Sequence, residues 1–137
     1  MFKLVKILGK GDSVPEITTI NAPITMPIKK GAVYFINGDN ICSQKDGMIL
    51  VKFIPTESLP QGHRKPKVRG YIVTHGMLFE ADTDGDFSEK YVGDGITFME
   101  DDNNDLLKIT PEEGNDAMII SKDDYERTGK ILVMMKQ

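Results

Sequence analysis

Apolar residues recur along this chain at the two-residue period of strands, in short runs closed off by turn residues. Phe2–Leu8 interleaves Lys3 and Lys6 with apolar neighbours and makes a credible first strand. Ala32–Ile36 ends at Asn37-Gly38-Asp39-Asn40, where the Asn-Gly pair predicts a tight hairpin into Ile41–Ser43. Lys45-Asp46-Gly47 predicts a second turn before Met48–Ile54. Val68–Val73 and Met77–Glu80 read as strands joined across His75-Gly76, and Ile96–Met99, Leu106–Ile109, Ala117–Ile120 and Lys130–Met135 follow. Helical signals last a turn at most. Thr110-Pro111-Glu112-Glu113 has an N-cap with Pro behind it, but Gly114 stops it. Ser121-Lys122-Asp123-Asp124 fits a capping box and predicts a short helical turn through Arg127 that Gly129 ends.

The fold class is therefore all-β, a small β-barrel or β-sandwich of about eight to ten short strands. With 137 residues the chain is expected to form a single β domain over 1–137, large enough to bury a core without disulfides. Residues 9–27 stand apart. Gly9, Gly11, Pro15, Pro23 and Pro27 rule out a helix and favour an extended path, read as a candidate N-terminal arm that crosses the surface or reaches a neighbour. Its apolar anchors would be Ile17, Ile20 and Ile24.

Charge is split along the chain. Residues 1–70 carry eleven Lys/Arg against five Asp/Glu, while 71–137 carry six against sixteen, so halves of +6 and −10 hide inside a net −4. Opposite fields on one small protein steer docking and fix orientation, which points to assembly with a partner or with further copies. The lone Cys42 excludes an intrachain disulfide and suits a reducing compartment. The N-terminus is too short and too charged for a signal-peptide core, and no run approaches the roughly 18 apolar residues of a membrane span. The chain therefore reads as soluble and unsecreted.

Two charged motifs carry candidate sites. His63-Arg64-Lys65-Pro66-Lys67-Val68-Arg69 concentrates cations that can meet phosphates or an acidic protein surface. Arg64, Lys65, Lys67 and Arg69 are the candidate partner-binding residues. A nucleic-acid module of the small-barrel kind is the alternative, but the pI of about 5.2, the absence of Trp and the lack of an aromatic in the run argue against it. Asp82-x-Asp84-x-Asp86 resembles the first half of a calcium loop. The second half fails, because Phe87 stands where the turn needs Gly and Gly93 where a bidentate Glu belongs. Asp82, Asp84 and Asp86 remain weak metal candidates.

No catalytic constellation emerges. Cys42, His63 and His75 are the only soft ligands or nucleophile–base members, and their spacing matches no zinc motif. Gly9-Lys10-Gly11 and Gly93-Asp94-Gly95 lack the form of a phosphate cradle. Neither a cofactor nor an enzymatic activity is expected.

Three stretches resemble small structural proteins encoded in the head-gene clusters of tailed bacteriophages and prophages. They are Met1–Leu8 followed by Val14-Pro15-Glu16, the segment Ile28–Ile41, and the C-terminal cadence of Tyr91–Phe98, Ala117–Ile120 and Gly129–Val133. The insertions at 82–90 and 100–105 and the Pro-rich loop 55–67 depart from the compact pattern. The resemblance implies a virion decoration protein, made in the host cytoplasm, that binds the outside of a capsid and reinforces it without catalysis, with another phage head or tail component as the alternative. It implies the major capsid protein as partner and a homo-oligomer, a trimer in preference.

Overall fold

The computed structural model describes residues 1–8, 17–23, 26–38, 40–42, 51–103 and 105–136. Among them eleven strands and one helical turn follow in order: β1 (Phe2–Ile7), β2 (Thr18–Asn21), β3 (Tyr34–Asn37), β4 (Asn40–Cys42), β5 (Lys52–Pro55), β6 (Lys67–Ile72), β7 (Met77–Thr83), β8 (Gly95–Glu100), β9 (Leu106–Glu113), β10 (Ala117–Ser121), α1 (Tyr125–Thr128) and β11 (Lys130–Met135). The all-β class is right, and the architecture is the barrel. No helix among the described residues is long and apolar enough to cross a membrane.

Where the sequence suggests one domain over 1–137, contacts divide the chain into two compact units. One joins Met1–Ser13 to Thr74–Lys136, and the other is Val14–Val73. The second unit holds eight Lys/Arg against four Asp/Glu (+4) and the first nine against seventeen (−8). They are called the basic and the acidic barrel below. His75-Gly76 therefore links two units, and β6 and β7 do not form the expected hairpin.

In the basic barrel the strands run β2-β6-β5-β3-β4 around a closed ring. β2 meets β4 in parallel through Asn21 and Asn40, and the other four pairings are antiparallel. Val33, Tyr34, Phe53, Ile41 and Val68 fill the interior at 2% exposure or less. Asn37 pairs with Asn40, so it closes β3 instead of sitting in the turn, and Gly38 takes the positive φ (62°) that begins the reversal.

The acidic barrel runs β7-β11-β10-β8-β9, with β1 added along β7. Parallel pairing of Asp82 with Lys108 and of Thr83 with Ile109 brings β9 back to β7 and closes five strands into a ring. Alternation places Ile131, Val133 and Met135 of β11 inside, against Phe79, Ile96, Ile109 and Ile119. From β1, Phe2 meets Phe98 edge-on at 5.3 Å.

Counted within each barrel, the ring order is the same: first, fifth, fourth, second, third, with the first and third strands parallel. No sequence repeat announces this shared topology. Two local expectations are corrected. Thr110–Glu113 continues β9 with no helical turn, and Pro111 falls inside the register shift between Ile96↔Glu113 and Thr97↔Thr110, where a missing N–H costs no ladder bond. The helical turn starts later than the capping box predicts. Asp124 is its N-cap and makes no side-chain cap bond, while Gly129 ends it at φ 72° as expected.

Candidate functional site

The basic run folds into one rigid edge of the basic barrel. Two-residue periodicity in β6 turns Lys67 and Arg69 outward and buries Val68 and Gly70. Before it, a turn closed by the His63 amide on the Pro60 carbonyl (3.1 Å) uses Gly62 at φ 77°, a conformation open to glycine at little cost. The loop is tied down twice. Leu59 and Ile28 exchange amide–carbonyl bonds of 2.8 Å, and buried His63 donates from Nε2 to the Met26 carbonyl at 3.1 Å. With that tautomer Nδ1 is an acceptor, and no described donor reaches it.

These ties recruit two cations that the sequence pattern does not connect to the run. Lys29 and Lys30 follow Ile28, and the Lys30 amide donates to the Ser58 hydroxyl at 2.9 Å. Lys29, Lys30, Arg64, Lys65, Lys67 and Arg69 are all exposed, so six cations gather around the loop 55–69. Among the described residues one acid stands with them. Glu57 lies 3.5 Å from the Lys65 ammonium and 3.6 Å from the Arg69 guanidinium, and it also accepts the Arg69 amide at 3.4 Å. Desolvation pushes the Glu57 pKa up, but the Arg69 amide and the Lys65 and Arg69 charges outweigh it and hold the carboxyl below its ordinary value.

A lowered folded pKa means that Glu57 stabilises the loop fully above its unfolded value, about 4.3, and less as pH falls through the folded value. Denaturation midpoints of the wild type and Glu57→Gln are therefore expected to differ above about pH 5, with the wild type more stable, and to converge in acid. A gap independent of pH would show that the carboxylate charge contributes nothing.

The segment expected as an arm contains a strand, and its residues 9–16 and 24–25 lie outside the described residues. Thr18–Asn21 of the 9–27 segment is β2, paired with β6 from Thr18↔Gly70 to Asn21↔Lys67, so it is a structural member of the barrel. Ile20 is half-buried there, Ile17 is exposed just before it, and Ile24 lies outside the described residues. Removing 10–27 would open the barrel, so that deletion cannot isolate binding from folding.

Asp82, Asp84 and Asp86 do not converge on a cation site. Asp82 accepts the N-terminal ammonium and sits 3.7 Å from Lys130, while Asp86 accepts the Ser88 amide at 2.9 Å. That amide, and then the Ser88 hydroxyl, hold Asp86 below the usual carboxylate range. Among the described residues no group of three His, Cys, Asp or Glu is placed to hold a metal. Cys42 and His63 are not hydrogen-bonded to each other: Sγ donates to the Phe35 carbonyl at 3.5 Å, and His63 serves Met26. His75 is an exposed residue of the other unit. No nucleophile–base contact is made among these three.

No protein-family model matches this chain, and no curated protein and no solved structure matches it.

Proposed function

We propose that this chain is a non-catalytic binding protein that docks through the basic edge of its Val14–Val73 barrel onto an acidic protein surface. In its specific form, it is a virion structural protein that attaches to the outside of a tailed-phage capsid, made in the host cytoplasm, with the major capsid protein as its partner. The observation that carries the reading is the gathering, among the described residues, of six exposed cations around one loop with a single acid among them, on a chain whose other unit is strongly acidic. Such a surface orients a docking protein and speeds encounter. Assembly of several copies, a trimer in preference, belongs to the same reading.

A second reading has one observation in its favour. A small closed barrel with a basic loop is also a shape used to hold single-stranded nucleic acid. One experiment separates the two. Head shells assembled from the same genome are heated with and without the protein, and single-stranded oligonucleotide is added as competitor. The expected result is a raised shell-rupture temperature that excess oligonucleotide leaves unchanged. An unchanged rupture temperature together with salt-sensitive oligonucleotide binding would replace the capsid reading with the nucleic-acid one.

A further inference from the structure

The loop between β7 and β8 holds two large apolar side chains out in solvent. Tyr91 is 72% exposed and Val92 64%. Their backbone is nonetheless pinned on every side. Phe87 is fully buried, meets the Tyr125 ring edge-on at 5.9 Å, and donates its amide to the Tyr125 hydroxyl at 3.0 Å. Asp94 accepts the Tyr91 amide at 2.8 Å and returns its own amide to the Tyr91 carbonyl at 3.0 Å. Gly93 donates to the Ile119 carbonyl at 2.8 Å, which fastens the turn to β10. An exposed aromatic on a backbone already held in place has only its side-chain freedom to lose on docking, which makes it an efficient anchor.

Beside Tyr91 and Val92 runs a groove of about 430 Å³ whose other walls include Lys122, Asp123, Tyr125 and Glu126. Its charges are unevenly satisfied. Lys122 spends its ammonium on the Lys90 carbonyl (2.7 Å) and the face of Tyr125 (5.8 Å). Asp123 and Glu126 are exposed and have no ion-pair partner among the described residues. The lining thus combines the exposed Tyr91 and Val92 with the cations Lys90 and Lys122 and with two carboxylates that have no ion-pair partner among the described residues, and those carboxylates can take cations that flank a small apolar group.

The chain carries that complement itself. On the basic loop Pro66 is exposed between Arg64 and Lys67, and neither cation has an ion-pair partner among the described residues, because Glu57 is engaged by Lys65 and Arg69. A proline ring stacks on a tyrosine face, and Arg64 and Lys67 flank Pro66 in the chain with charges opposite to those of Asp123 and Glu126. We propose that copies of this chain associate head to tail, the Arg64-Pro66-Lys67 loop of one copy seating in the Tyr91–Val92 groove of the next. The contact is heterologous, so repetition closes a ring or extends a filament, and both raise the solution mass. The inference deepens the self-association within the reading above. It is measured on the free protein, so it can fail while shell binding stands.

The test is the weight-average mass of the full-length protein by light scattering over a wide concentration range, at low and high salt. Wild type is expected to gain mass with concentration, and less so in high salt. Tyr91→Ala should weaken association about tenfold or more, as expected of a central anchor, while circular dichroism shows the fold intact. Arg64→Glu with Lys67→Glu should weaken it, and so should Asp123→Lys with Glu126→Lys. All four reversals in one chain should restore it, because the pairs are re-formed with opposite sign. A wild type that stays monomeric at the highest concentration would overturn the contact. So would Tyr91→Ala associating like wild type, or a fourfold variant no better than either pair.

Discussion

Phe79→Ala is expected to destabilise the acidic barrel by roughly 3–5 kcal/mol, the usual cost of deleting a buried aromatic ring. Phe79 has no exposed surface, and it sits in β7 opposite Leu4 of β1 on one side and Val133 of β11 on the other. The lost ring leaves a void walled by strands whose backbones are held in ladders, so the site cannot collapse to fill it. The denaturant midpoint of the strand signal in circular dichroism measures the loss. Tyr91→Ala is the contrasting control, since that side chain is largely in solvent and its removal should change stability by no more than about 0.5 kcal/mol. A Phe79→Ala loss as small as the control's would mean that the ring is not part of a packed interior.

Gly70→Ala is the second large effect, about 3 kcal/mol in the basic barrel, at the upper end for overpacking. The reason is space. A Cβ at residue 70 would lie 2.4 Å from the Ile54 carbonyl oxygen, 2.6 Å from Cζ of Phe53 and 2.7 Å from Cα of Pro55. Two of these are backbone atoms of β5, and the third tips a ring with no exposed surface, so none can yield without moving a strand. Where room exists, Gly→Ala stabilises by about 0.4–1 kcal/mol through the unfolded chain, so the sign of the change is diagnostic. Because β6 carries Lys67 and Arg69 outward, the same substitution should also weaken partner binding by shifting those cations.

The strands were legible because their physics is local. Alternation in Lys130–Met135 and the turn glycines at 38, 76 and 129, all at positive φ, are written residue by residue. Connectivity is not local. The two barrels share one ring order while their sequences show no repeat, since backbone pairing needs a pattern and no particular side chains. For the same reason Thr18–Asn21, flanked by prolines and weakly alternating, reads as an arm although β6 claims it as a strand. Pro111 misleads in the opposite sense, because a register shift absorbs a residue that sequence reasoning assigns to a helix start.

The candidate surface was half visible. Arg64, Lys65, Lys67 and Arg69 announce themselves as a run, but Lys29 and Lys30 join them only through the Ile28–Leu59 bridge, some thirty residues apart in sequence. The separation of charge into +6 and −10 halves is a blurred image of the two units, +4 and −8, since β1, which joins the acidic barrel along β7, is itself basic. Tyr91 and Val92 are hidden for a different reason. The sequence marks a strand only from Ile96, and it is the hydrogen bonds of Asp94 and Gly93 that hold these two side chains outside.

The most direct measurement is co-sedimentation of the protein with head shells assembled from the same genome, comparing wild type with a variant reversed at Arg64, Lys65, Lys67 and Arg69. The account predicts that wild type pellets with the shells in saturable, salt-weakened fashion and that the folded variant stays in the supernatant. Equal pelleting of both proteins, or of neither, would contradict the claim that the basic barrel is the docking face.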